Sequence, residues 1–342
     1  MKRYNSLDGL RAISCISIIA MHVLYNTEYN VSGFIYDKFI PSLTWLVYLF
    51  LIISGFGISA GYLNKFISGE VDLENFYFRR YSKILPFFSF LVLIAFIVEP
   101  SINNLYEAGI ELTLLFGLLP NNTLNLLGVS WTLGVIFLFY FLYPAISVLL
   151  RNKRRAVLSL LCSLVIMIFC NNYFFSNYFV ASSFTPRHSF IFCLPLFLSG
   201  CVIYLFRENI EAISVNNGAL LLVFNIALSV VYYVNPIKNQ NFQYMLLLLI
   251  FIGWVSYAIY SADNMFLSNK IMKYIGSLSF EMYLAHMIMF RVLQKAGLIY
   301  LFGYNAFSYF FTLIVIVLML IVFINCYRFV ERKLIKSLGK GH

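Results

Sequence analysis

The chain has 342 residues, of which 61% are hydrophobic and 11% charged, with a formal net charge of +10 and a mean hydropathy of +0.84. A soluble domain carries about 25% charged residues, so this composition excludes a large water-soluble core and implies a polytopic membrane protein. The basic excess does not imply nucleic acid as a partner, because the Lys and Arg residues lie at the ends of apolar stretches.

An all-α membrane bundle of ten spans is expected, as a single domain over residues 1–342. The spans lie near 10–26, 42–63, 84–98, 130–150, 156–170, 189–206, 218–234, 243–261, 275–292 and 306–328, taking about 20 residues as the usual crossing length. An eleventh apolar run, 112–119, ends at Pro120 and is left out because eight residues make only about 12 Å of helix. Ten spans with both termini cytoplasmic place all but Lys38, Arg187, Lys238, Arg291 and Lys295 of the 24 basic residues on the inner side. That asymmetry satisfies the positive-inside rule. Lys2 and Arg3 resemble the start of a signal peptide, but no small-residue cleavage site follows, so the first span is expected to remain. Nor is an appended extracytoplasmic domain expected. The six cysteines fall in apolar stretches without a Cys-x-x-Cys pair, which suggests core residues and no metal site.

The first span carries Asp8, Arg11 and His22. Eleven helical steps of about 100° return His22 to within roughly 20° of Arg11 and separate the two by roughly 16 Å, so they share a face at different depths. An ionisable group among lipid-facing neighbours is costly and marks a functional site by default. The alternative is a snorkelling Arg11 and a His22 that makes a core hydrogen bond.

Further along, Phe50-Leu-Ile-Ile-Ser54-Gly55-Phe56 offers small residues suited to close helix packing. Arg79, Arg80 and Lys83 precede Pro86 as a compact cationic cluster, read either as a topology anchor or as a grip for phosphate. The stretch from Val129 to Tyr140 contains Trp131 and Ile136. The outer aromatic residues Tyr173, Phe174, Phe175, Tyr178 and Phe179 are read as an interfacial belt, with sugar stacking as the alternative. Arg187 and His188 read as solvated residues at a helix start, with contact to an acceptor as the alternative, and Pro195 interrupts the sixth span. In the ninth span, Glu281, Tyr283 and His286 fall within two turns. His286 and His22 are expected at one depth, roughly 15 to 18 Å from the inner surface, where they could meet. Arg11 is the candidate partner for Glu281. Glu331-Arg332 reads as an anchoring pair, and the terminal His342 carries no signal.

Four of these stretches together resemble the acyltransferase-3 family of integral-membrane acyl transferases. They are Leu-Asp-Gly-Leu-Arg11 with His22, the Arg79–Pro86 cluster, Trp131 to Tyr140, and Gly276 through Tyr283 to His286. The resemblance implies that Arg11 and His22 are needed for activity, with His286 beside them, and that Arg79, Arg80 and Lys83 serve an acyl-coenzyme A donor. Asp8, Trp131, Glu281 and Tyr283 would support the site. It further implies acetyl-CoA as the acyl donor, a glycan acceptor such as O-antigen, capsule or exopolysaccharide, and a place in the inner (plasma) membrane. One departure stands out: Ile136 occupies the position where many relatives carry glutamate, so proton transfer from this span is in doubt. A transporter or flippase for an anionic lipid or glycan precursor is the competing class; it predicts broken spans in two repeated halves.

Overall fold

The computed structural model describes residues 3–118, 126–176, 178–180, 184–234, 237 and 239–338. Lys2, Pro120, Lys238 and His342 lie outside them. Among the described residues there are helices and no strand. In chain order the α-helices are α1 (Asn5–Tyr25), the one-turn α2 (Ile40–Ser42), α3 (Val47–Ile67), α4 (Leu73–Val98), α5 (Ile102–Leu112), α6 (Trp131–Leu149), α7 (Lys153–Tyr173), α8 (Phe190–Leu205), the short α9 (Arg207–Glu211), α10 (Val215–Val234), α11 (Gln240–Tyr260), α12 (Lys270–Lys295) and α13 (Ala306–Leu338).

Eight helical stretches among the described residues are long and apolar enough to cross a membrane, with α2 and α3 counted inside one stretch, Ile35–Ile67. The other two expected spans fall on α8, which has 16 residues, and on α12, whose 26 residues include Lys270, Lys273, Glu281, Arg291 and Lys295. The chain is an all-α polytopic bundle. The rejected run 112–119 does not form a span: α5 ends at Leu112 and a short 3-10 turn covers Phe116–Leu118.

Helix starts follow side-chain chemistry. Asp72, Asn152, Ser189, Asn239 and Asn269 each accept a hydrogen bond from a first-turn amide of the helix they precede, satisfying donors that have no partner within the helix. Pro195 lies inside a continuous α8 rather than breaking it. Its ring removes a single backbone bond. Of the cysteines, Cys15, Cys193 and Cys201 are buried as expected, whereas Cys162 and Cys326 are exposed and Cys170 is half-buried. The apolar character of their helices extends around the outward faces, so position in an apolar run does not imply burial.

Close backbone approaches fix the two helix pairs that carry the site. A Cβ on Gly200 of α8 would sit 1.9 Å from the Ile52 carbonyl oxygen, and one on Gly55 of α3 would sit 2.1 Å from that of Phe197. Small residues at such crossings let helix backbones touch. Gly276 of α12 meets the Asp8 carbonyl of α1 in the same way, and Gly9 meets that of Leu267. These contacts clamp α1 against α12.

The bundle has two distinguishable ends. At one, Ser6 at the start of α1 bonds the Ser261 and Ala262 carbonyls after α11, Tyr4 donates to Glu211, and Phe76 in α4 stacks on Tyr143 in α6. At the other, Tyr29 after α1 packs on Tyr300 and Tyr309, and Tyr48 of α3 meets Phe192 and Tyr244. We call the first end inner, following the basic asymmetry. At the outer end, Tyr173, Phe174, Tyr178 and Phe179 are exposed, as an interfacial belt requires.

The segment before α6 is held by a buried carboxylate. Glu111 accepts from the Ser130 hydroxyl at 2.9 Å and the Leu127 amide at 3.3 Å, and Glu107 accepts from the Leu126 amide. Burial, reinforced by the charge of Glu107, raises the Glu111 carboxyl to about 7. This anchor sets where Trp131 and Thr132 begin α6.

Candidate active site

A cavity of about 550 Å³ opens among α1, α3, α4, α6, α12 and α13. Its charged lining comprises Arg3, Arg11, Arg80, Lys83 and Arg328 against Asp8 and Glu281. Asp8 bridges two of the cations, accepting from Arg3 at 2.9 Å and from Arg11 at 3.1 Å. With one carboxylate shared between two guanidinium groups, the lining keeps a positive excess.

Arg80 is half-buried and has no ion-pair partner among the described residues. Its guanidinium lies over the rings of Tyr62 (4.7 Å), Tyr140 (5.6 Å) and Phe76 (5.9 Å), donates to the Tyr62 hydroxyl at 2.8 Å, and leaves Nε without a partner. Stacking on rings holds a guanidinium in place without neutralising it. Lys83, one turn on, lines the same cavity. Arg79 is exposed and reaches toward Tyr62 from outside the lining.

The expected pairing of Glu281 with Arg11 is not found. Glu281 accepts from both Nε and Nη2 of Arg328, and Arg11 is held by Asp8 three residues away on its own helix. The packing of α13 against α12 delivers Arg328 to Glu281, while the local i,i+3 spacing satisfies Arg11 first. Glu331 and Arg332 do not pair with each other either: Glu331 accepts from Tyr327, and Arg332 donates to the Arg328 carbonyl.

The outward wall of the cavity consists of Phe50, Thr132, Ile136 and Tyr283. The Tyr283 and Thr132 hydroxyls are 2.7 Å apart. Ser54, expected to serve packing, has its hydroxyl 2.8 Å from that of Tyr140. Ile136 puts an apolar surface on this wall.

One turn beyond Tyr283 lies His286, 1% exposed, with its ring centroid 5.8 Å from that of Tyr283 and 5.0 Å from that of His22. The two histidines meet across α1 and α12, His22 in the last turn of α1. His286 Nδ1 lies 2.6 Å from the Tyr283 carbonyl. Because a carbonyl only accepts, Nδ1 carries the hydrogen and Nε2 of the neutral ring is a lone-pair acceptor. That Nε2 is buried and has no partner.

No hydrogen bond or ion pair joins Arg11 to His22 among the described residues. Arg11 lines the inner cavity, and His22 lies beyond its lining, against His286. Arg187 and His188, expected to be solvated, are half-buried. His188 stacks on Trp131 with ring centroids 4.3 Å apart, and the Arg187 guanidinium lies 5.9 Å from the same indole. Burial and then the Arg187 charge lower the His188 imidazole to about 4, so its ring is neutral at ordinary pH.

A family model described as an acyltransferase domain matches residues 4–326. The chain belongs to the acyltransferase-3 family. It is an acyltransferase, and its many apolar helices make it a multi-pass membrane protein. No curated protein and no solved structure matches it.

Sequence reading missed the partners rather than the principals of this acyltransferase-3 site. Nothing in the sequence marks Thr132, Tyr140 or Arg328 as partners of the site residues. Their hydroxyl and guanidinium contacts depend on helix packing, for which no spacing signal exists.

Proposed function

We propose that this acyltransferase moves an acetyl group from cytoplasmic acetyl-coenzyme A to a hydroxyl of a cell-surface glycan, such as O-antigen, capsule or exopolysaccharide, in the inner membrane. The observation that carries this reading is the cationic inner cavity whose far wall leads, through Tyr283, to the His22–His286 pair. An unpaired guanidinium and a neighbouring ammonium suit phosphate oxygens, with Arg80 as the bidentate donor and Lys83 as a point charge. Arg11, fixed by Asp8, adds to the same field.

The donor enters from the inner end with its phosphates among these cations and its thioester extended toward Tyr283. At the pair, His22 takes the proton of the acceptor hydroxyl as the oxygen attacks the thioester carbonyl. A C–O bond forms and the carbonyl oxygen becomes an oxyanion, within reach of the Tyr283 and Thr132 hydroxyls. The C–S bond then breaks, the carbonyl reforms, and the departing thiolate takes the proton from the His22 imidazolium. His286, with Nε2 free as an acceptor, supports the charge that builds up on His22. Ile136 offers no carboxylate to this sequence, which leaves the proton work to the imidazoles.

The test is transfer of radiolabel from acetyl-coenzyme A into membrane glycan, comparing wild type with His22→Ala and Arg80→Ala. Label is expected with wild type alone. Undiminished transfer by His22→Ala overturns the mechanism. No label with inserted wild-type protein and acceptor glycan present overturns acetyl-coenzyme A as donor.

A further inference from the structure

A second cavity, of about 290 Å³, lies at the outer end between the start of α3, the end of α7, the approach to α8 and the start of α11. Its volume is near the lower bound of about 300 Å³ for small-ligand sites, which suits one ring and its linkage better than an oligosaccharide. Trp45 and Tyr244 supply aromatic faces, and Asn171, Gln240 and Gln243 supply amides. An amide offers both donors and an acceptor, as a hydroxylated ring requires, while an aromatic face takes its C–H side.

Arg187 also lines this cavity and is half-buried. Among the described residues it forms no ion pair. One of its terminal nitrogens donates to Thr44 at 3.0 Å, and its buried Nε has no partner. A guanidinium has five N–H donors, and a partly buried charge without a counter-charge is costly. The Trp131 ring steadies the group but brings no negative charge. Arg187 lies over Trp131 at the start of α6, next to Thr132, whose hydroxyl pairs with that of Tyr283, one turn from His286. An anion held on Arg187 therefore lies on the outer side of the Thr132–Tyr283 step that leads to the histidines.

Resting on the acyl-transfer reading above, we infer that the outer cavity binds the acceptor and selects an acidic sugar. The oxyanion of that sugar sits on Arg187, its ring lies between Trp45 and Tyr244, and a free hydroxyl turns toward His22. The oxyanion is either a carboxylate, as in a uronic acid, or a phosphate, as in a sugar phosphate. Arg187 is then a specificity-determining residue.

Trp45 lines this cavity and Trp131 lies beneath Arg187, and the protein has only three tryptophans, so intrinsic fluorescence reports occupancy. The purified full chain in neutral detergent is titrated with methyl glucuronide, glucose 1-phosphate, methyl glucoside and a short-chain anionic phospholipid. Saturable quenching is expected with at least one acidic sugar, and whichever binds better identifies the oxyanion. Methyl glucoside should bind at least about ten-fold more weakly. Arg187→Gln should bring the acidic sugar to the glucoside level, and Arg187→Lys should restore part of the preference, since it keeps the charge but loses the fork.

Equal quenching by all three sugars, no quenching by any, or a preference that survives Arg187→Gln with an unchanged melting temperature overturns the inference. Quenching by the phospholipid alone also overturns it, since the anion site would then belong to a lipid headgroup. Calorimetric binding of acetyl-coenzyme A is measured on the same samples. Lost donor binding with retained sugar selectivity sinks the donor reading and leaves the outer site standing, and the converse result sinks the outer site alone.

Discussion

The guanidinium of Arg328 and the carboxylate of Glu281, 47 residues apart in the chain, grip each other at the edge of the inner cavity. The Glu281 side chain is 14% exposed and that of Arg328 33% exposed, so the pair is neither fully buried nor fully screened. Its job in the cavity is neutralisation. Paired, Glu281 adds no net negative charge to the cavity, which suits the polyanionic donor proposed for it.

Arg328→Ala uncovers that charge. The KM for acetyl-coenzyme A should rise roughly 5- to 30-fold, the equivalent of about 1–2 kcal/mol for coupled neighbours, with little change in kcat. Arg328→Ala combined with Glu281→Gln should recover most of the loss. A double variant no better than the single one would show that Arg328 binds the donor itself.

On the proposed mechanism, replacing either histidine removes proton transfer from the same step. His22→Ala and His286→Ala should each lower kcat by about 10²- to 10⁴-fold, and the double variant should be little worse than the weaker single, because groups acting as a unit are not additive. Transfer kinetics on protein that inserts and melts normally is the measurement. Losses that multiply would mean separate roles.

Gly200 of α8 touches the backbone of α3 at Ile52, where a Cβ has no room. Gly200→Ala should destabilise the protein by about 1–3 kcal/mol, as overpacking does, and lower its melting temperature in detergent. Gly61 on α3 has nothing near its Cβ position, so Gly61→Ala serves as a control with little effect.

Glu111 gives the stability a pH dependence. Its carboxyl is raised from 4.5 to about 7 by burial first, so between those values the folded protein holds a proton that the unfolded chain has released. Stability therefore falls as pH rises from about 4.5 through 7, and the loss is complete above 7. Glu111→Gln cannot ionise. Relative to wild type it should gain up to about 3 kcal/mol at pH 8 and little at pH 4 to 5, read as melting temperature against pH in detergent. Parallel profiles for the two proteins would mean that Glu111 does not titrate in this range.

Much of the bundle was legible from the sequence because a lipid crossing leaves a long unbroken signal, and because Arg11, His22 and His286 sit where helical periodicity alone fixes their faces. Depth was less legible. Ser6, bonded to the carbonyls after α11, lets α1 start at Asn5, ahead of its apolar run. Partners between helices were least legible. Arg328 reaches Glu281 and His188 reaches Trp131 only once α13 packs on α12 and the approach to α8 folds over α6, and neither meeting has a signature in residue spacing.

Tyr48 lines the outer cavity and Phe50 the inner one, two residues apart on α3, a rise of about 3 Å. A membrane hollowed from both faces concentrates its voltage across whatever solid layer separates the hollows. Here that layer holds Phe50 and the Tyr283–Thr132 hydroxyl pair, with His286 one turn from Tyr283 and His22 packed on it. A full crossing is worth about 2.3 kcal/mol per unit charge at 100 mV, and the thin layer takes most of that drop. On the proposed mechanism the proton taken from an outer hydroxyl ends on an inner thiol, so it moves through much of that field, and the transfer rate is expected to change with membrane voltage.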